Sequence, residues 1–317
     1  MAILSKVLLT NGALSNSAQT FLGADSLFTT GSVIFVHSGT GSNDNSGLDP
    51  STPKATVQGA IDICTAAKGD RIIVMPGHAE VVTSTSMNLS KSGVSVICIG
   101  SGLNRATFTY STAAATITVS AANCGFFGGH HIANFADVAS AFTVGAAKDF
   151  TLGYNTFVDS ASNLNYLSII VTGSTNNDAD GLTVIGNYQL GLATTANATV
   201  SILANEARLA VTDNYVNQAA TNNAGHFITL SSKIITGAQI SRNKCVVVSA
   251  TTATVGIFLT GSGTTSTGIV DSNFVSSLDT TTALLATAGT GLVYFENYLV
   301  ADADGSGLIF PAAGNPA

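Results

Sequence analysis

Paired carboxylates are the residues of this chain whose spacing could do chemistry. Asp178 and Asp180 lie two apart, as do Asp302 and Asp304. Two carboxyl groups on either side of a glycosidic bond can serve as acid and base, or acid and nucleophile, on a neutral glycan. Asp159, Asp213, Asp271 and Glu296 lie near a recurring asparagine, and Asp213, Asp271 and Glu296 are a candidate carboxylate row. The competing reading of all these acids is a set of solvated turns. His130 and His131 are adjacent, but no Cys, Asp or His joins them at ligand spacing. The loops Asn43-Asp44-Asn45 and Asp302-Ala303-Asp304-Gly305 are rich in oxygen donors yet lack the full spacing of a calcium loop. The sequence therefore assigns no catalytic residue, no metal and no cofactor.

Composition narrows the classes. Charged residues are 9% of the 317, against roughly 25% in ordinary soluble proteins. Net charge is −7 with 11 Lys+Arg, so no basic stripe is available to track a phosphate backbone or an anionic membrane. Only Arg71, Arg105, Arg208 and Arg242 could fork onto an acidic sugar. Ser, Thr, Asn and 32 Gly replace the missing charge, a composition suited to turns and extended chain. Cys64, Cys98, Cys124 and Cys245 form no C-x-x-C pair and read as buried free thiols. The apolar stretch from Met1 to Leu9 is too short for a secretion signal, and no window reaches 18 uninterrupted apolar residues.

The elements that must position any site come from repetition. Apolar-x-apolar-x-x-Asn recurs, ending at Asn155, Asn187, Asn214, Asn243, Asn273 and Asn297. The intervals are 32, 27, 29, 30 and 24 residues. His130 is read as an earlier copy standing in the Asn place. Between copies lie short β runs, among them Ile117-Thr118-Val119, Phe142-Thr143-Val144, Ile228-Thr229-Leu230 and Leu308-Ile309-Phe310. Such a unit cannot bury its apolar face alone, whereas stacked copies bury one continuous core. Asn suits a tight turn because it tolerates the left-handed conformation, and its amide can bond its equivalent on the next coil. A helix over 53–68 is expected, with Thr52 as N-cap, Pro53 at the first position and Gly69 as stop. Residues 1–30 read as an arm or irregular cap, 31–317 as a β-helix domain, with coils over about 70–310.

The run Asn43-Asp44-Asn45-Ser46-Gly47, Pro53, the helix, Gly69-Asp70, a strand and Pro76-Gly77 resembles the N-terminal part of pectin-lyase-like β-helix proteins. Many of these are bacteriophage tailspikes and virion surface proteins. The resemblance covers about residues 33–310. It implies an all-β fold, a right-handed single-stranded parallel β-helix with a capping helix, and a homotrimer. Pectate lyases and polygalacturonases of this fold use acidic clusters with basic partners, but Asp-Asp, Gly-His-Gly and Arg-x-x-Pro-x-x-Arg do not occur in this sequence. The expectation is a non-enzymatic virion structural protein. It would be made in the host cytoplasm and would decorate the capsid surface, with itself and the major capsid protein as partners and neither nucleic acid nor membrane. The alternative is a tailspike-like protein that binds or cleaves host surface polysaccharide.

Overall fold

A computed structural model describes residues 31–192, 198–218, 226–230, 233–247, 257–258, 266–277, 285–286, 291–300 and 307–309. The expected N-terminal arm, 1–30, lies outside them. The chain winds into a parallel β-helix built from three long sheets of ten, ten and eight strands. In one coil, Thr151–Gly153 belongs to sheet I, Thr156–Asp159 to sheet II and Ser168–Thr172 to sheet III. The next coil repeats the order with Thr183–Ile185, Tyr188–Gly191 and Ala198–Ile202.

Register follows the alternation of apolar residues, because a one-residue slip would turn each strand inside out. On sheet I a single inward column runs Ile34, Ile72, Val96, Phe126, Leu152 and Val184, and continues to Tyr294. Sheet III contributes Ile117, Phe142, Ile170, Val200 and Ile228 in another. All of these are buried. Each such side chain removed from water stabilises the fold by about 1.5–3 kcal/mol. The four cysteines are free and buried in this interior, as their apolar contexts suggested.

The tight turn between sheets I and II carries the asparagine ladder. In every copy from Asn155 onward the preceding residue is left-handed: Tyr154, Gly186, Asp213, Arg242, Ser272 and Glu296, with φ from 52° to 63°. The Asn side chain then points inward. Asn187 Nδ2 donates to Asn214 Oδ1 at 3.1 Å and to the Leu152 carbonyl at 2.9 Å. Its backbone N–H donates to the same Asn214 Oδ1 at 2.9 Å. Asn214, Asn243 and Asn273 repeat this pattern, each onto the next. The six are at most 7% exposed. Buried amide groups of this kind need such partners, since an unpaired one costs about 1–3 kcal/mol.

Three expectations are corrected. The helix spans Val57–Ile63, not 53–68. Asn43 Oδ1 takes the N–H groups of Ala55 and Thr56, which holds that stretch outside the helix, so Thr56 is the N-cap and bonds Gly59 N–H. It still buries Val57, Ala60 and Ile61 against the first coils. His130 does not stand in the Asn place; it pairs with Thr156, which puts Gly129 opposite Asn155. Gly129 N–H donates to Asn155 Oδ1, and a Cβ at Gly129 would collide with His131. The run at Leu308 does not join sheet III; Gly307–Ile309 pairs antiparallel with Asn297–Val300 at the edge of sheet II.

Replacing Asn214 by Ala leaves Asn187 N–H, Asn187 Nδ2 and the Val184 carbonyl without their partner. It is expected to lower unfolding stability by about 2–4 kcal/mol, measured by urea denaturation. Asn297→Ala strips the equivalent three groups, Asn273 N–H, Asn273 Nδ2 and the Val270 carbonyl. Asn214 in addition donates to the Thr212 carbonyl and to Asn243 Oδ1, so Asn297→Ala is expected to cost less.

Candidate functional site

The turns leading from sheet III to sheet I vary in length, as do those from sheet II to sheet III, and at the former the chain brings ionisable groups together. Asp180 Oδ1 accepts the Ala207 N–H at 2.8 Å, while Glu206 Oε2 accepts the Ala179 N–H at 3.1 Å. Two carboxylates on adjacent coils thus cap each other's backbone. Lys148, one coil earlier, stands 3.5 Å from Asp180 Oδ2. Burial pushes the Glu206 carboxyl up to about 7, with the charges of Asp180 and Asp178 adding to the effect. Its Oε1 is buried and has no partner. Beside this group Arg208 reaches past Gly181 to Asp149, two coils away, at 2.8 Å. Gly181 is left-handed (φ 79°), and a Cβ there would meet the Asp149 carboxylate, so both backbone and space require glycine.

The structure separates the candidate carboxylate row. Asp213 and Glu296 occupy the left-handed position before the ladder, with Arg242 and Ser272 between them. Asp271 sits one place earlier, on the strand Thr267–Asp271, and accepts the hydroxyls of Ser241 and Ser272. Asp213 is held bidentately by Arg242 at 2.7 Å, which keeps its carboxyl below the ordinary range. Asp159 is buried and pins two loops through the N–H groups of Tyr166 and Leu192. Asp302 and Asp304 lie outside the described residues. Asn43 spends its oxygens internally: its carbonyl accepts the Lys54 ammonium at 2.7 Å and its Oδ1 takes the Ala55 and Thr56 N–H groups.

His130 and His131 face opposite sides of one strand and cannot share a ligand. His130 faces outward and meets Arg105. His131 stacks between Phe108 and Phe157 at 5.1 and 4.8 Å, with Phe126 and Phe142 at its edges. Burial lowers its imidazole to about 3, so it is neutral in the core. Its Nδ1 lies 3.2 Å from the Tyr110 hydroxyl.

The outer face of sheet II presents a second feature. Tyr188, Tyr215, Lys244, Phe274 and Tyr298 share one register column. Tyr188 and Tyr215 stack at 5.3 Å, nearly parallel, and the Lys244 ammonium lies over Tyr215 and Phe274 at 5.2 and 5.7 Å. Beside them runs Ile132, Val158, Leu190, Asn217 and Val246. Sequence reading missed this face because aromatic residues about one repeat apart look unrelated in a linear chain.

No family model matches the chain, and no curated protein does. A solved structure of a rhamnogalacturonan lyase is similar, with TM-score 0.40 and 12% identity over 89% of this chain and 90% of that one. The expectation of a non-enzymatic protein is corrected: the similar chain is named as a lyase. The physical reason lies in the winding. Lys148, Asp180 and Glu206 come from three successive coils, so a functional group of residues in a solenoid leaves no contiguous signature. Glu206 itself was missed, although it stands 28 residues after Asp178, one repeat on.

His131 supplies a signed pH test. Its folded value lies below the unfolded value of about 6.5, so the fold loses stability as pH falls from there toward 3. His131→Phe keeps an aromatic ring and removes that loss. Relative to the parent, the variant is expected to gain about 2 kcal/mol more at pH 5 than at pH 8, measured by chemical denaturation.

Proposed function

We propose that this chain is a virion-surface protein of a bacteriophage, a homotrimeric β-helix that decorates the capsid and docks on the major capsid protein. The observation that carries the reading is the outer face of sheet II. It is long and half-exposed, and it combines an aromatic column with an aliphatic one. Lys244 is the one cation in the aromatic column, and its charge rests on ring faces. A face of this kind meets a second copy of itself without like-charge repulsion, and burying its aliphatic column favours association. Three rods joined in this way would make a stiff unit on a particle surface. The resemblance of the N-terminal segment to phage β-helix proteins supports the same reading.

Light scattering on the purified full chain is expected to give about three times the chain mass of 31.9 kDa. Leu190→Glu, which places a charge in the aliphatic column, is expected to yield monomers with an unchanged β spectrum. A parent chain that runs as a monomer overturns the trimer. Immunogold labelling of source particles is expected over the icosahedral head. Label confined to the tail would replace this reading with the tailspike alternative.

A further inference from the structure

The paired carboxyls at the turn between sheets III and I have a geometry that ordinary turn acids lack. Glu206 is 3% exposed; its Oε2 accepts the Ala179 N–H of the preceding coil, and no donor reaches its Oε1. Asp180 returns the contact by accepting the Ala207 N–H. The two carboxyls lie within hydrogen-bonding reach of each other at the turn that runs from Gly173 to Leu182. That turn is exposed from Ser174 to Asn177.

The surrounding charges do not neutralise the pair evenly. Asp178 adds a further negative charge from the same turn. Lys148 lies on the far side of Asp180, against its Oδ2. Arg208 is committed to Asp149. On the following coil, Ile235–Thr236 pairs with Glu206–Ala207 and brings no charged side chain; Lys233 precedes it. Two ionised carboxylates in such a place repel each other with little water to screen them, so a proton on Glu206 relieves the repulsion.

We propose that Glu206 and Asp180 form a proton-gated clamp between two successive coils. With a proton on Glu206 the clamp is closed and both amides, Ala179 and Ala207, are held. When that proton leaves, the carboxylates part and the turn 173–182 loosens. No bond is made or broken beyond the transfer of this proton to solvent. The sign follows from burial: the folded value of Glu206, about 7, exceeds its ordinary 4.5. Stability from this group is therefore complete below about 4.5 and is lost as pH rises through 7.

The test is amide hydrogen exchange on the intact protein at pH 5.5 and 8.5, corrected for intrinsic exchange rates. Ala179 and Ala207 are expected to lose protection at least tenfold more than the ladder amides at Asn187 and Asn214. Equal changes at all four sites overturn the clamp. Glu206→Gln, which cannot ionise, is expected to abolish the difference between the two pH values. Should that variant fail to fold, carboxyl NMR on the parent protein decides the matter: Glu206 is expected to titrate near 7, and a Glu206 fully ionised at pH 5.5 overturns the proposal. Calcium that restores protection at pH 8.5 would make a cation the occupant in place of the proton and would likewise overturn it.

Discussion

A chain that winds on itself must bury polar backbone at each tight corner while stacking every strand on its predecessor. The asparagine ladder meets both demands. Between the ladder's ends, each amide donates to the next asparagine and to a sheet I carbonyl on the preceding coil, and its oxygen accepts from the preceding asparagine. The interaction is shared, so each asparagine is satisfied only if its neighbours are in register. A slip of one residue would strand several buried groups at once and would also turn the apolar columns outward. The register of all three sheets is tied to this corner.

That constraint explains where the molecule is uniform and where it varies. From Gly125 onward the corner between sheets I and II keeps one length, and its left-handed position is where side chains reach solvent; the preceding coil inserts residues 99–106 between Ser95–Cys98 and Thr107–Tyr110. Tyr154, Asp213, Arg242 and Glu296 differ widely because they face outward. Length changes are accepted on either side of sheet III, and the Asp180–Glu206 pair sits at the turns that lead from it into sheet I. The interior tolerates a neutral histidine for a related reason: His131 is enclosed by aromatic rings and keeps a hydroxyl partner, and so stays uncharged.

Much of the fold was legible because its signals are local. The alternation in Ile117–Val119 and Phe142–Val144, and the asparagine at each repeat, need only a few residues to be seen. Misreadings arose where a distant partner decided the outcome. Thr52 and Pro53 carry the right residue types for a helix start, but Asn43, ten residues upstream of Pro53, claims the amides that follow. His130 fits the spacing of the ladder, but the bulk of His131 reserves that corner for Gly129. Gly307–Ile309 has the composition of another coil strand, yet it reverses and covers the sheet edge.

The candidate sites show the same division more sharply. The sequence by itself determined a repeated unit, a core stripe and a buried asparagine in each copy, because period and residue type carry that information along the chain. Only the tertiary structure decided which ionisable groups meet. Stacking places residues 26 to 30 apart within hydrogen-bonding distance, as with Asp180 and Ala207 or Arg242 and Asp213. It also places Asp271 on a strand and Glu296 at a solvent corner, though they lie only two and one residues before an asparagine in sequence. Side-chain electrostatics depend on distance and burial, and in a solenoid both are set by the neighbouring coil rather than by the neighbouring residue.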